Sequence, residues 1–160
     1  MLTRDDYLYF ADRALIGMSD IVIQLGNERA NQRAYRGANT PYALLHHCLE
    51  VIEAWVGSFM RGRPLDRNRD AEFTASGSTD ALVLRCEKVR KQLHVDVARA
   101  DLEAELVDRP PESYEGPSRL PTQAAALLHV YEELAQHHGQ MQVLRDLLTA
   151  KEHTGETGTR

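Results

Sequence analysis

Glu133 and His137 stand one helical turn apart within an apolar stripe, and a chain that buries such a pair must bring other groups to meet it. Placed on a wheel at about 100° per residue, Ala126, Val130, Leu134, Met141, Leu144 and Leu148 fall within roughly 60° of His137. Glu133 lies one turn earlier and about 40° off that line, so its carboxylate and the His137 imidazole leave the helix side by side. A carboxylate among hydrocarbon is costly unless it is paired or bound to a cation. Glu132, Gln136 and His138 project about 100° or more from the centre of the stripe and need no such partner.

The rest of the chain supplies further helices of the same kind. Tyr7, Ala11, Ala14, Met18, Ile21 and Leu25 keep helical spacing from Arg4 to Leu25, with Thr3 and Asp6 forming a capping box and Gly26 as the stop. Asn27 to Asn39 is polar and reads as a connection, with a short turn of helix over Asn27 to Arg33. Thr40-Pro41 opens a second helix that runs to Arg61 ahead of Gly62. Its core face takes Leu44, His47, Cys48, Val51, Trp55 and Phe59, whereas His46 shares the solvent side with Glu50, Glu53 and Gly57. Arg63 to Gly77 reads as a connection that Phe73 anchors to the core. Ser78 opens a third helix to about Ala100, with Leu82, Cys86, Val89, Leu93 and Val97 inside; His94 has no partner at helical spacing and reads as an ordinary, partly exposed histidine. Asp101 to Leu120, rich in proline and glycine, is a long crossover. A fourth helix spans Pro121 to Ala150. Four amphipathic helices without period-2 alternation predict an all-α four-helix bundle with long crossover connections, built from residues 1–150, and a disordered tail over 151–160 that holds His153.

Composition narrows the function classes. A chain of 160 residues with 42% hydrophobic residues can bury a core, and it has no apolar run long enough to span a bilayer. A net charge of −5, without a basic stripe or interleaved aromatics, argues against nucleic acid or an anionic membrane as partner. Met1-Leu2-Thr3-Arg4-Asp5-Asp6 runs directly into amphipathic sequence, so a cytoplasmic location is expected. Cys48 and Cys86 fall in apolar patterns and lack the spacing of a zinc knuckle or redox pair, so packing is their expected role.

His47, Glu133 and His137 would meet in the core if the second and fourth helices face each other. Two histidines and a carboxylate with an open fourth position is the ligand set of catalytic zinc, since structural sites close with four protein ligands. A buried ion pair, or a hydrogen-bonded network without metal, would also account for the same residues. His129, one turn before Glu133 and about 80° from His137, borders the site together with Gln140. It is a candidate for orienting a ligand, and His129 and Tyr131 are candidates for proton transfer or substrate contact. No glutamate is followed three residues later by histidine, which disfavours a di-iron bundle. No nucleophile elbow or phosphate-binding glycine loop is present either.

The pattern Tyr42-Ala43-Leu44-Leu45-His46-His47-Cys48-Leu49, followed by His129-x-x-x-Glu133-x-x-x-His137-x-Gly139-Gln140, resembles the DinB-like superfamily of metal-binding four-helix bundles, and the likeness spans Leu2 to Ala150. Many members carry histidine at the position of Glu133. Glutamate there is similar to the mycothiol-dependent maleylpyruvate isomerase branch, whose site is two histidines and a glutamate and which has an additional C-terminal domain that these residues do not include. The resemblance implies ligand roles for His47, Glu133 and His137 and a divalent ion, zinc or nickel. It further implies S-transferase or isomerase chemistry with a low-molecular-weight thiol (mycothiol, bacillithiol or glutathione) and a small electrophile, and pairing as a homodimer. A free thiol titrates near 8.5, and a dication deprotonates it at neutral pH. The competing class is a non-enzymatic metal-binding stress or interaction bundle, whose site a fourth side chain such as His46 or His129 would seal.

Overall fold

The structure is a computed structural model that describes residues 3–112, 114 and 122–155, with 151–155 described by their backbone alone. Helix α1 spans Arg4–Ala30. Its first turn is closed by the expected capping box: Asp6 N donates to Thr3 Oγ1 and Thr3 N donates to the Asp6 carboxylate, both at 3.0 Å. At Gly26 the backbone swings to φ 65° and ψ 179°, so the regular helix stops where the glycine stands and a short helical turn resumes to Ala30.

Helix α2 covers Pro41–Ile52, capped by Thr40 Oγ1, which accepts from Ala43 N at 3.0 Å. It continues as a π-helical segment, Glu53–Met60, and Gly62 turns the chain away at φ 69°. The wider π turn spreads the buried face, so every residue from Ala54 to Met60 is buried. Gly57 is among them, which corrects its expected place on the solvent side. Arg63 covers it: a β-carbon at Gly57 would lie 3.0 Å from the guanidinium.

The connection after this rod contains a four-residue helix, α3 (Arg69–Glu72), that the sequence pattern does not announce. Helix α4, Thr79–Ala98, starts at the Ser78 cap and buries Leu82, Cys86, Val89, Leu93 and Val97 as its spacing requires. Helix α5 runs from Gln123 to Gly155, past the expected end at Ala150, and the remainder of the expected tail, residues 156–160, lies outside the described residues. In the crossover ahead of it, Val107 N and Asp108 N donate to Phe59 O at 2.8 and 3.1 Å, tying the crossover to the end of the π-helical segment.

The four long helices form the bundle. α1 and the α2–π rod each pack against both α4 and α5, whereas α4 and α5 make no backbone approach to one another among the described residues. The α4-to-α5 connection therefore spans opposite corners of the bundle, as the long crossover over 101–120 anticipates. The same arrangement sets α2 face to face with α5, which positions the site. Cys48 and Cys86 are buried free thiols whose pKa values burial pushes up, in keeping with a packing role. Among the described residues, no helix is long and apolar enough to cross a membrane. The protein is all-α; the β geometry described is an isolated bridge between Glu105 and Thr122.

Candidate metal centre

His47 projects from the middle of α2, and Glu133 and His137 project from consecutive turns of α5 toward it. Glu133 Oε2 lies 3.3 Å from His47 Nε2 and 3.3 Å from His137 Nε2. One donor atom from each of the three side chains can be chosen so that all lie within 4.8 Å of one another, and no other such group of His, Cys, Asp and Glu occurs among the described residues.

The electrostatics follow from this contact. Hydrogen bonds from His137 and His47 hold the Glu133 carboxyl far below the usual carboxylate range, against the opposing effect of burial. For His47, burial works against the charged ring, but hydrogen bonds to Glu133 and Glu72 outweigh it and raise its pKa. Both nitrogens of His47 face carboxylates, with Nδ1 2.6 Å from Glu72 Oε2 and Nε2 3.3 Å from Glu133 Oε2. Carboxylates only accept, so the ring there needs either a second proton or a cation between Nε2 and Oε2. His137 is arranged alike: its Nδ1 lies 3.0 Å from Gln140 Oε1, and Nε2 faces the same Glu133 oxygen. A dication shared by the two Nε2 atoms and Oε2 would take the place of protons, and the donor chemistry fits one.

A cavity of about 160 Å³ opens on the three residues, walled by Val51, Trp55, Phe73, Tyr114 and Gln136 with Arg67 and Arg69. His47 is almost fully enclosed, while the side chains of Glu133 and His137 keep 20% and 16% of their surface. Solvent-sized molecules therefore reach the side of the trio formed by α5.

His129 is buried beside the trio, its Nε2 3.9 Å from Glu133 Oε1 and its ring 4.5 Å from that of Trp55 in an edge contact with 66° between the planes. It flanks the site as its wheel position requires. Tyr131 is placed elsewhere: it packs toward Phe10 of α1, 6.2 Å between ring centres, and does not line the cavity. The physical reason is angular, because Tyr131 stands about 120° from His137 on the wheel and faces α1, which also packs on α5. His46 points away from the trio, its Nδ1 3.0 Å from an Arg85 nitrogen, and the same guanidinium is held by Glu50 and Glu53. That face of α2 is partly covered by Arg85 of α4, so His46 is half-buried rather than fully open to solvent. His94 is met by Asp12 of α1 at 2.9 Å, a partner that spacing within one helix could not reveal. His138 lies against Gly17 of α1, away from the trio, and the side chain of His153 lies outside the described residues.

Two residues at the site escape sequence reasoning. Glu72, 2% exposed, and Arg67 come from the segment read as a plain connection. Arg67 Nε and a terminal nitrogen donate to the Glu72 carboxylate at 2.5 and 3.0 Å. The usable signal was Phe73, expected as an anchor and found with its ring 4.6 Å from that of His47. A residue that anchors a connection onto His47 brings its neighbours with it.

Comparisons with known proteins agree with this architecture. A crystal structure of a conserved protein from Enterococcus faecalis superimposes with a TM-score of 0.67 at 14% sequence identity, covering 94% of this chain and 99% of that one. That likeness shows the fold. A search of the curated proteins gives no match. The family model described as mycothiol-S-transferase matches residues 8–150, which takes in most of the four long helices and all three members of the trio. The chain belongs to the mycothiol-S-transferase family.

Proposed function

We propose that His47, Glu133 and His137 hold a divalent cation, zinc or nickel, and that the protein joins an intact low-molecular-weight thiol, mycothiol first among them, through its sulfur to a small electrophile. The observation that carries this reading is the placement of one carboxylate oxygen 3.3 Å from each of two Nε2 atoms, at a cavity that solvent reaches. Three protein ligands with one accessible side is the pattern of a reactive site rather than a sealed one. His46 faces Arg85, and His129 is not part of the group of donor atoms that all lie within 4.8 Å of one another, so neither completes a fourth position. That favours an enzyme over a non-enzymatic metal-binding bundle. Family membership supports the choice of thiol.

When bound, the cation supplies a positive charge that favours the thiolate over the thiol near neutral pH. The chain's own residues do the rest. Glu133 and the two imidazoles fix where that charge sits, and Trp55, Val51 and Phe73 form a wall that limits water around the nucleophilic sulfur. His129, buried against Trp55, is placed to exchange a proton with a group entering the cavity. A volume of about 160 Å³ is well below the roughly 300 Å³ of a drug-sized site. It takes the thiol end of its ligand and the reacting atoms of the electrophile, while the bulk of both stays outside it.

The test joins metal content to turnover. Purified protein should carry zinc or nickel near one equivalent by elemental analysis and conjugate mycothiol to at least one electrophile of a panel that includes maleylpyruvate-type unsaturated acids. His47→Ala and His137→Ala should lose both properties. Full metal content in both variants would refute the ligand assignment. Metal-dependent binding without turnover with mycothiol, bacillithiol or glutathione would favour the non-enzymatic bundle.

A further inference from the structure

His47 is held on its edge and its face by two successive residues of one short segment. Glu72 Oε2 lies 2.6 Å from Nδ1, and the Phe73 ring stacks on the imidazole at 4.6 Å with 32° between the planes. Glu72 is itself fixed. Asn68 caps the four-residue helix that carries it, Oδ1 accepting from Ala71 N at 3.3 Å, and Arg67 grips both carboxylate oxygens. The Glu72 and Arg67 side chains are 2% and 3% exposed. Arg67 in turn lies over the Tyr114 ring at 4.8 Å. Burying an arginine and a glutamate in this way costs solvation that apolar side chains of the same size would not. The arrangement therefore calls for a reason beyond cohesion.

The reason lies in the ring's two nitrogens. A carboxylate locked by Arg67 can only accept, so Nδ1 carries the proton, and in the neutral ring Nε2 presents its lone pair. Nε2 is the atom that faces Glu133 and His137. The counterpart on α5 is weaker, since His137 Nδ1 meets only the neutral amide of Gln140. We propose that Glu72, locked by Arg67, is a positioning residue for His47: it fixes the Nδ1–H tautomer and turns Nε2 toward Glu133 and His137. This rests on the metal-site reading above.

The experiment measures zinc affinity of the purified chain by competition with a chromophoric chelator, and follows the His47 ring protons by NMR in the ¹⁵N-histidine-labelled, zinc-loaded protein. Glu72→Ala should weaken zinc binding by about 10- to 100-fold. Glu72→Gln keeps an acceptor in place and should recover part of that loss. Because Glu72→Ala leaves Arg67 buried without its partner and can fail to fold, Arg67→Leu/Glu72→Leu removes both charges together and should show the same loss in a folded chain. The Nδ1 proton of His47, sheltered from exchange in the wild type, should vanish in Glu72→Ala and in the double variant and return in Glu72→Gln. Zinc affinity within about threefold of wild type in the double variant, with the Nδ1 proton still sheltered and His47→Ala unable to bind, would overturn the positioning role alone. Wild-type affinity in His47→Ala would overturn the metal site beneath it.

Discussion

The Tyr7 hydroxyl is buried with no hydrogen-bond partner, an uncommon cost in a helix otherwise well capped. Tyr7→Phe removes an unsatisfied group with almost no change of shape, so the variant should be more stable by about 1 kcal/mol in urea unfolding. Burial also raises the phenol pKa above its ordinary 10.0. The folded chain then holds that proton more tightly than the unfolded chain does, so the contribution is present below about pH 10 and is lost as the pH rises further. The alkaline fall in stability should be shallower in Tyr7→Phe; an equally steep fall would place the titration elsewhere. Among the site residues, Glu133 and His137 were legible because a wheel places both within a stripe of hydrocarbon. Spacing from Leu44 and Val51 similarly turned His47, and not His46, inward, and its burial agrees. Glu72 and Arg67 were illegible because a charged residue in an aperiodic segment reads as solvated, and nothing local distinguishes one that is drawn inside.

Helix α1 shows how much a single backbone position can carry. Gly26 holds φ 65° and ψ 179°, a region essentially reserved for glycine, and a β-carbon there would meet nothing within 4 Å. Gly26→Ala should therefore cost about 1–3 kcal/mol through backbone strain alone, read as a lower melting temperature with the site's zinc affinity unchanged. An unshifted melting temperature would mean that the turn relaxes into continuous helix. The glycine was readable in the sequence as a stop. The π-helical segment was not, because Trp55 and Phe59 satisfy the apolar stripe of an ordinary helix. What betrays the wider turn is Gly57, buried under Arg63 where an α-helical wheel sends it to solvent.

Metal binding at the proposed site would be linked to folding through the whole bundle, since its donors come from α2 and α5 and assemble only when the two helices meet. Free zinc at a hundred times its dissociation constant should add about 2.7 kcal/mol to stability. For a chain of 160 residues that corresponds to a rise in melting temperature of roughly 5–11 °C. A chelator should reverse the rise and His137→Ala should abolish it; an equal rise in that variant would place the zinc elsewhere. From the sequence alone came the four long helices, most of their buried faces, the caps at Thr3, Thr40 and Ser78, and the pairing of Glu133 with His137, because each depends on residues within a turn or two of one another. Long-range packing settled the rest. It set α2 opposite α5, turned Tyr131 toward α1, gave His94 its partner in Asp12, and drew Glu72 onto His47. Glu133 is where the two meet: its place among hydrocarbon is local, but the imidazole 3.3 Å away arrives from 86 residues earlier in the chain. Helical periodicity fixes which side of a helix is dry, not which other dry side it will find.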